Sequence, residues 1–324
     1  MSEKKKILVT GGLGYVGGRI VQALSDTNKY EVYITSRKNN SNNYFFKDNN
    51  FVKLISSDSV FNPAENLEDK YECVIHLAAY NEIDCLKYPV EAAEFNIVSS
   101  LVLLQKSIKA FCKQFIYFST AHVYGNPLHG KIDESLITRP VHPYAITHKA
   151  FEDFVLAARD KNEIDGVVLR LSNSLGTPIN TEVNRWTLLI NDLCKQAVVS
   201  DYLVLNGNGI QERDFITLTD VAGAVIHVLN LSKEDKSDGL FNLGGNYTQR
   251  IIDIAGLVKE RAMLVLNKKV EIKIPDSKNS ITNSIALPLN FSSEKLKNIG
   301  FQWRNNITEE IDNLLIFCNL NFNS

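Results

Sequence analysis

The chain has 324 residues, of which 44% are hydrophobic and 22% charged, and its formal net charge is −2 at pH 7. This length accommodates one large domain with a sizeable core and a smaller domain, while the near-neutral charge lacks the broad basic surface that nucleic-acid binding requires. No apolar run approaches the length of a membrane span, and none forms a secretory signal before the first strand, so we expect a cytoplasmic protein with no nucleic-acid or membrane partner.

The cysteines are scattered along the chain and form no Cys-x-x-Cys pair. They are Cys73, Cys85, Cys112, Cys194 and Cys318. This distribution favours buried or free thiols in a reducing compartment over a disulfide framework, and it predicts no metal site.

The first predicted strand turns through glycines into a helix, in the run Ile-Leu-Val-Thr-Gly-Gly-Leu-Gly-Tyr-Val-Gly-Gly. In such a unit Gly11 permits the tight turn, Gly14 lets the backbone approach a pyrophosphate, and Gly17 lets the helix pack close to the sheet. The N–H groups at the start of the helix, at Tyr15 and Val16, then face the phosphates. The pattern therefore predicts a dinucleotide-binding site.

Beyond this unit, short apolar runs alternate with longer helical patterns, which is typical of a parallel sheet with crossover helices. The runs predict strands at residues 6–10, 31–35, 52–56, 73–77, 115–119 and 167–171. The helical patterns cover residues 15–24, 90–110, 144–159, 185–197 and 220–231. The polar run at 39–43 reads as a solvated loop, and the last third reads as mixed helix and short strand.

These elements predict an α/β fold with two parts. A Rossmann-type doubly wound parallel sheet forms a dinucleotide-binding domain over residues 1–172. A smaller mixed α/β substrate-binding domain covers residues 173–324, and segments near 215–245 return to the first domain.

Five later segments extend the glycine pattern in a fixed order. They are 74–79 (Val-Ile-His-Leu-Ala-Ala), 119–125 (Ser-Thr-Ala-His-Val-Tyr-Gly), 143–144 (Pro-Tyr), 169–176 (Leu-Arg-Leu-Ser-Asn-Ser-Leu-Gly) and 207–215 (Gly-Asn-Gly-Ile-Gln-Glu-Arg-Asp-Phe). Together they resemble the extended short-chain dehydrogenase/reductase family of nucleotide-sugar epimerases, dehydratases and reductases. The resemblance covers about residues 5–245 and implies an NAD(P)-dependent enzyme.

The resemblance also implies which residues border the cofactor. They are Leu77, Ala78 and Ala79 in the loop after the fourth strand, Asn96 on the following helix, and Asp58 at the adenine. For Asp58, a carboxylate in a surface turn is the alternative interpretation.

Cofactor choice depends on the end of the second strand, where NAD-preferring members carry an acidic residue that binds the adenosine ribose. This chain has Ser36, Arg37 and Lys38 there. A hydroxyl followed by two cations leaves room and charge for a 2′-phosphate, so we predict NADP as the preferred cofactor, with NAD as the alternative. Arg37 could instead be solvated or stack on the adenine.

The resemblance places the chemistry at Tyr144, which in the family exchanges a proton with a sugar hydroxyl, assisted by a lysine four residues later. Here His148 holds the lysine position, and Glu152 supports this register. A histidine still donates a hydrogen bond to the nicotinamide ribose and, if protonated, supplies positive charge. Alternatively, Lys149 reaches the site through a helical irregularity, or the oxidoreductase step is impaired.

Residues near the end of the fifth strand bear on the reaction type. Thr120 matches the hydroxyl residue that binds the reacting sugar oxygen, with Ser119 beside it. Related 4,6-dehydratases carry Asp-Glu directly after that threonine, whereas this chain has Ala-His, so we do not expect dehydration. His122 could exchange a proton with the substrate or be structural, and His142 could also face the pocket.

Two further residues resemble the nucleotide-sugar binding set. Asn173 matches an asparagine that contacts the sugar or its phosphates, and Arg213 matches an arginine that pairs with the diphosphate. The family's second arginine is absent, because residues 278–290 contain none.

The resulting functional prediction is an NAD(P)-dependent epimerase or oxidoreductase that acts on a nucleotide-linked sugar, at carbon 4 through a keto intermediate, in polysaccharide biosynthesis. The missing lysine leaves open a slow or non-catalytic cofactor-binding relative. The missing arginine leaves open a reductase of a small carbonyl compound.

A homodimer is also expected, because family members pair the helices at 90–110 and 144–159 between subunits. These helices carry more apolar residues than one face needs: Leu101, Leu104, Ile108, Phe151, Phe154 and Val155. Burial in the core is the alternative interpretation of these side chains.

Overall fold

The computed structural model describes residues 4–36, 45–67, 70–274 and 287–323. Its strands are β1 (Lys5–Thr10), β2 (Tyr30–Ser36), β3 (Val52–Ser56), β4 (Cys73–His76), β5 (Gln114–Thr120), β6 (Gly130–Ile132), β7 (Asp165–Leu171), β8 (Asn173–Leu175), β9 (Tyr202–Val204), β10 (Glu212–Thr217), β11 (Leu240–Leu243), β12 (Thr248–Arg250), β13 (Glu271–Lys273) and β14 (Leu289–Phe291). Its α-helices are α1 (Tyr15–Asp26), α2 (Ser57–Phe61), α3 (Glu82–Lys87), α4 (Pro89–Ala93), α5 (Ser100–Lys109), α6 (Pro143–Asp160), α7 (Leu189–Val199), α8 (Leu218–Leu229), α9 (Ile251–Leu266), α10 (Glu294–Asn298) and α11 (Ile307–Phe322).

Seven strands form a parallel sheet in the order β11-β7-β5-β4-β1-β2-β3. Both faces of this sheet are covered by helices, which is why its strands are apolar on both sides. In β1, Ile7 and Val9 pack with helices α1 and α8, whereas Leu8 packs with α5 and α6 on the opposite face. This architecture confirms the predicted Rossmann-type fold.

The predicted strands agree with the observed ones to within two residues. The helix predicted at 185–197 begins later, at Leu189, because residues 185–188 form a turn in which the Leu188 backbone N–H donates to the Arg185 carbonyl oxygen at 3.3 Å. The helix predicted at 90–110 is interrupted by a π-helical segment at Glu94–Ser99. The predicted loop at 39–43 lies outside the described residues.

A second core lies away from the large sheet. Helices α7, α9 and α11 pack together around it, next to the three-stranded sheet β12-β10-β8. Arg19 of α1 links the two regions through an ion pair with Glu310 of α11 at 3.1 Å. Strand β11, far along the chain, pairs with β7 in the first sheet. The division of domains at residue 172 stays a prediction.

Candidate active site

The glycine loop lies at the carboxyl end of β1, beside the loop that follows β4. Gly11 has a φ of 72°, and a Cβ there would lie 3.0 Å from the backbone nitrogen of Ala78. A Cβ at Gly17 would lie 2.2 Å from the Gly11 carbonyl oxygen. The tight turn and the close helix packing are therefore as predicted. Because α1 begins without a side-chain cap, its first N–H groups are oriented to bind an anion.

Tyr15 contributes to this site through its backbone only. Its side chain is buried, and its hydroxyl lies 2.9 Å from the Gly176 carbonyl oxygen and 3.1 Å from Asn191 Oδ1. Val16 packs against the apolar core. A contact between the Tyr15 side chain and a cofactor is thus not supported, whereas the N–H groups of both residues remain at the helix start.

Thr10 and His76 fix the loop after β4. Thr10 Oγ1 lies 2.6 Å from His76 Nδ1 and accepts from the backbone N–H groups of Leu77 and Ala78 at 3.2 and 3.3 Å. These contacts keep the predicted cofactor-binding loop, which ends at Ala79, next to Gly11.

Asn96 is buried in the π-helical segment and uses both ends of its amide. Its Oδ1 accepts from the Tyr80 backbone N–H at 2.8 Å, and its Nδ2 donates to Thr147 Oγ1 at 3.0 Å. This pattern indicates that Asn96 joins the β4 loop to α6 and positions that loop, and its role toward a cofactor stays a prediction.

The adenosine end of the site is described in part. Ser36 ends β2, and Asp58 is exposed in the first turn of α2, beyond the end of β3. Arg37 and Lys38 lie outside the described residues. The preference for NADP therefore stays a prediction.

Tyr144 lies in the first turn of α6, where Pro143 provides a fixed φ suited to the first helical position. His142 caps this helix, because its Nδ1 accepts from the Tyr144 backbone N–H at 3.1 Å. That hydrogen bond gives His142 a structural role at the start of the helix, and its pocket-facing role stays a prediction. Burial raises the pKa of Tyr144 above its ordinary value, and the carboxylate of Glu82 raises it further.

His148 lies one turn after Tyr144, with the two ring centroids 4.3 Å apart. The side chain is buried, and burial lowers its pKa to about 4. The ring is therefore neutral at pH 7 and does not supply the positive charge that a lysine would. Its Nδ1 lies 2.6 Å from the hydroxyl of Tyr117 on β5.

Lys149 does not replace the missing lysine. Helix α6 runs without irregularity from Pro143 to Asp160, and the Lys149 ammonium forms an ion pair with Asp153 on the outer side of the helix. The interpretation in which Lys149 reaches the site is wrong, because a regular helix turns it about 100° away from His148.

The hydroxyls at the end of β5 have different partners. Thr120 Oγ1 accepts from the His122 backbone N–H at 3.2 Å, which leaves its own hydrogen available to a ligand. Ser119 donates to Glu152, and Arg170 binds the same carboxylate. Because its hydrogen is donated to Glu152, Ser119 can contact a substrate only as a hydrogen-bond acceptor. Its substrate contact stays a prediction.

His122 lies in the short 3₁₀ turn Ala121–Tyr124 that follows β5. Burial lowers its pKa, Glu82 opposes that shift, and Arg213 and His142 add to it. These four side chains are thus close enough to share one electrostatic environment, although they come from distant parts of the chain.

Arg213 is partly buried in this environment, and burial lowers its pKa. Within the part of the chain that the structure describes, its guanidinium forms no ion pair and no hydrogen bond. Asn173 lies on the neighbouring strand, and its Nδ2 donates to the Asp214 carbonyl oxygen at 2.9 Å. A cation without a partner in a partly buried position is suited to an anionic ligand.

Three residues near the site were not predicted from the sequence. Glu82 and Arg185 form an ion pair at 3.6 Å and both affect the pKa of Tyr144. Tyr117 contacts His148. A carboxylate just after the capping residue Asn81 could have indicated Glu82, whereas no local pattern distinguishes Tyr117 from other apolar strand residues.

The described cysteines are buried and free, as expected. Within residues 4–36, 45–67, 70–274 and 287–323, no cluster of His, Cys, Asp and Glu side chains could hold a metal ion. In the same ranges, no helix is both long and apolar enough to cross a membrane.

The chain matches a known family and several named relatives. The model of the "NAD dependent epimerase/dehydratase family" matches residues 7–244. The human dTDP-D-glucose 4,6-dehydratase is 29% identical over an alignment of 339 residues including gaps, which covers 95% of this chain and 89% of the relative. A putative UDP-glucose 4-epimerase from Methanocaldococcus jannaschii is 28% identical, with coverages of 78% and 81%. The expected exclusion of dehydration is therefore not supported.

Solved structures share the fold along nearly the whole chain. A UDP-N-acetylglucosamine 4-epimerase from Methanobrevibacter ruminantium M1, in complex with UDP-N-acetylmuramic acid, has a TM-score of 0.79 at 24% identity and covers 97% of this chain and 98% of its own. A UDP-glucuronic acid 4-epimerase from Bacillus cereus, with UDP-glucuronic acid and NAD, has a TM-score of 0.77 at 21% identity, with coverages of 97% and 99%. RMD from Pseudomonas aeruginosa with NADPH has a TM-score of 0.75 at 20% identity and covers 98% of each chain.

Proposed function

Because the chain belongs to the NAD-dependent epimerase/dehydratase family, within the extended short-chain dehydrogenases/reductases, we propose that it epimerises or oxidises a nucleotide-linked sugar at carbon 4. The reaction proceeds through a keto intermediate. One of the named relatives, the putative UDP-glucose 4-epimerase from Methanocaldococcus jannaschii at 28% identity, supports the choice of carbon.

The observation that carries this proposal is the guanidinium of Arg213. It is partly buried, close to His122, and has no anionic partner among the described residues. Leaving a charge in such a position is costly unless a ligand compensates it. A sugar diphosphate offers several oxygens to a planar guanidinium, and the sugar attached to it would extend toward Thr120 and Tyr144.

The residues present suit a nicotinamide dinucleotide. A side chain at Gly11 or Gly17 would fill the loop, and α1 begins there without a side-chain cap. When bound, a nicotinamide cofactor would supply the hydride acceptor for the sugar carbon. NADP is the proposed preference, because the sequence places Arg37 and Lys38 where an NAD-specific site needs a carboxylate.

The chain's own groups manage the proton. The Tyr144 phenolate, formed once the phenol has lost its own proton to solvent, accepts the proton of the sugar hydroxyl as its carbon loses hydride, and Thr120 orients the same oxygen by donating a hydrogen bond. Without a neighbouring cation, the raised pKa of Tyr144 opposes formation of its anion. We therefore expect slower oxidation than a tyrosine–lysine pair would give.

A second candidate is 4,6-dehydration of a nucleotide sugar, which the extensive match to the human dehydratase favours. Removing water requires an acid and a base beyond Tyr144. His122 and Glu82, which interact electrostatically, are the candidates for those roles.

We also propose a homodimer, but with an interface made of other apolar residues than most of those predicted from the sequence. Leu104, Phe151 and Val155 belong to the core, and Leu101 and Ile108 pack against it. The apolar side chains left exposed on adjoining helical segments are instead Val90, Val98, Ile146 and Phe154, which are between 42% and 66% exposed. Exposed apolar side chains on helical segments that pack against one another suit contact with a second copy of the chain.

The test begins with mass spectrometry of ligands released from the purified protein by denaturation, which identifies cofactor and nucleotide sugar together. UDP- and dTDP-sugars are then incubated with the protein and either cofactor, and the products are followed by proton NMR. Interconversion of C4 epimers supports the proposal, whereas a 4-keto-6-deoxy product that has lost water supports dehydration. Binding of cofactor without turnover of any nucleotide sugar would favour a non-catalytic protein or a small-carbonyl reductase.

A further inference from the structure

Tyr117 and His148 form a buried pair behind the candidate catalytic tyrosine. The Tyr117 hydroxyl is 2.6 Å from His148 Nδ1, and the two rings stack with centroids 5.7 Å apart and an interplanar angle of 25°. Their exposed fractions are 2% and 3%. Tyr117 is therefore in direct contact with the residue that replaces the family's lysine.

The donor in this contact can be assigned. Within the described ranges, the Tyr117 hydroxyl has no other hydrogen-bond partner, and burial raises its pKa well above its ordinary value, so it keeps its proton. A buried phenol needs an acceptor for that proton. His148 Nδ1 meets this need only if it carries no hydrogen of its own.

It follows that the neutral His148 ring carries its hydrogen on Nε2. This atom is buried and has no hydrogen-bond partner among the described residues. Because an unsatisfied buried donor is costly, the position is suited to a ligand that brings an acceptor oxygen. The Tyr144 ring lies beside it, which places this donor next to the candidate catalytic tyrosine.

The groups around His148 do not favour an imidazolium. His76 of β4 is a buried histidine whose charge would repel it, and Tyr117 and Tyr144 are neutral. The Glu152 carboxylate, one turn along α6, is bound by Arg170. The Phe118 carbonyl favours a protonated ring but is outweighed by burial.

We propose that Tyr117 is a positioning residue that holds His148 in the Nε2–H tautomer, so that His148 donates a neutral hydrogen bond to a hydroxyl of the nicotinamide ribose. This inference rests on the proposed function for the presence of that ribose. It assigns binding of the ribose to His148 and leaves the site without the permanent cation that a lysine provides.

The first experiment measures the tautomer in the ligand-free protein. Long-range proton–nitrogen correlation spectra of histidine-labelled protein at pH 7 distinguish Nε2–H, Nδ1–H and imidazolium, and the signal missing from a His148→Gln variant identifies His148. We expect Nε2–H in the wild type and a mixture of tautomers in Tyr117→Phe. A wild-type Nδ1–H ring or imidazolium would overturn the proposal.

The second experiment measures dissociation constants for NADPH and NADH by calorimetry. Tyr117→Phe should weaken binding of both roughly three- to tenfold, the worth of one oriented hydrogen bond. Tyr30→Phe is the matched control, because it removes another buried tyrosine hydroxyl, 3.2 Å from Asn230 Oδ1, at the opposite end of the sheet. Equal effects of the two variants would contradict a specific role for Tyr117.

Conservative rescue provides a third readout. The amide of His148→Gln can donate near the position of Nε2, so its affinity should stay within roughly threefold of wild type and be constant between pH 6 and 8. His148→Leu, which has no donor, should bind as weakly as Tyr117→Phe or more so. If Gln is no better than Leu, the proposal fails. Failure of nucleotide-sugar turnover with an intact Nε2–H tautomer and cofactor binding would count against the proposed function alone.

Discussion

Arg170 binds Glu152 through two nitrogens of its guanidinium, with Nη2 at 2.8 Å from Oε2 and Nε at 3.0 Å from Oε1. The carboxylate is fully buried, and Ser119 donates to it as well. This pair joins α6, which carries Tyr144 and His148, to β7 of the sheet. The position of the catalytic helix therefore depends on it.

Replacing Glu152 by glutamine should destabilise the protein, because it leaves the Arg170 guanidinium buried without its counter-charge. We expect a loss of about 3–5 kcal/mol in the free energy of unfolding, as measured by urea denaturation. Asp153→Asn is the matched control, since it removes the exposed ion pair with Lys149 on the same helix and should change stability by less than about 1 kcal/mol. Similar losses in both variants would show that the buried ion pair contributes no more to the free energy of unfolding than the exposed one.

Replacing Tyr144 by phenylalanine removes the hydroxyl that exchanges the proton and leaves the ring in place. Turnover of the nucleotide sugar should fall by roughly two to four orders of magnitude, while the cofactor dissociation constant changes little. The exposed Tyr88 provides a control, since Tyr88→Phe should retain full turnover. Near wild-type turnover in Tyr144→Phe would show that another group exchanges the proton, and His122 would be the first to test.

Replacing Arg37 by aspartate should weaken NADP binding far more than NAD binding. The change substitutes repulsion for attraction beside a 2′-phosphate, and we expect at least a roughly tenfold larger loss for NADP. Calorimetric titration with both cofactors measures this difference. An equal loss for the two would be incompatible with the predicted NADP preference.

Acid should destabilise the protein through its buried histidines. Burial lowers the pKa of His148 to about 4 and that of His76 to about 3, so the unfolded chain binds more protons than the folded chain below the ordinary histidine pKa. Stability is therefore lost as the pH falls from near 6.5 toward these values. Between pH 7 and 5, each histidine should account for about 2 kcal/mol.

His148→Gln should remove its share of this pH dependence when urea denaturation is repeated at both pH values. His129→Gln, which changes an exposed histidine, is the control variant. If His148→Gln loses stability with pH as the wild type does, His148 does not titrate as inferred.

The oligomeric state tests the exposed apolar surface of α6 and its neighbours. Light scattering should give the mass of a dimer, and Phe154→Glu should shift the mass toward that of a monomer, because a buried charge in the interface costs roughly 2 kcal/mol or more. Leu320→Glu changes an even more exposed apolar residue on α11 and should leave the dimer intact. A monomer at all concentrations would refute the prediction.

The sequence was sufficient to predict six of the seven strands of the large sheet, because a parallel sheet buried on both faces requires continuous apolar runs, such as Ile-Leu-Val at 7–9 in β1. The edge strand β11 was not predicted. The π-helical segment around Asn96 was missed, since an extra residue in a helical turn leaves the apolar pattern almost unchanged.

The Tyr117–His148 contact joins residues 31 positions apart and depends on how α6 packs on β5, which no local pattern encodes. The departure at position 148 was visible in the sequence. The neutral state of His148 could not be predicted from the sequence, because it results from burial by several distant elements.

Strand β11 has a consequence for how the protein can be made and divided. It forms the edge of the large sheet beside β7, yet at least 68 residues separate the two strands. A polypeptide ending at residue 172 would leave the hydrogen-bonding edge of β7 open to pairing with other chains. During synthesis on the ribosome, the sheet likewise stays incomplete until Leu243 has emerged, so most of the second region must be translated before the first can close.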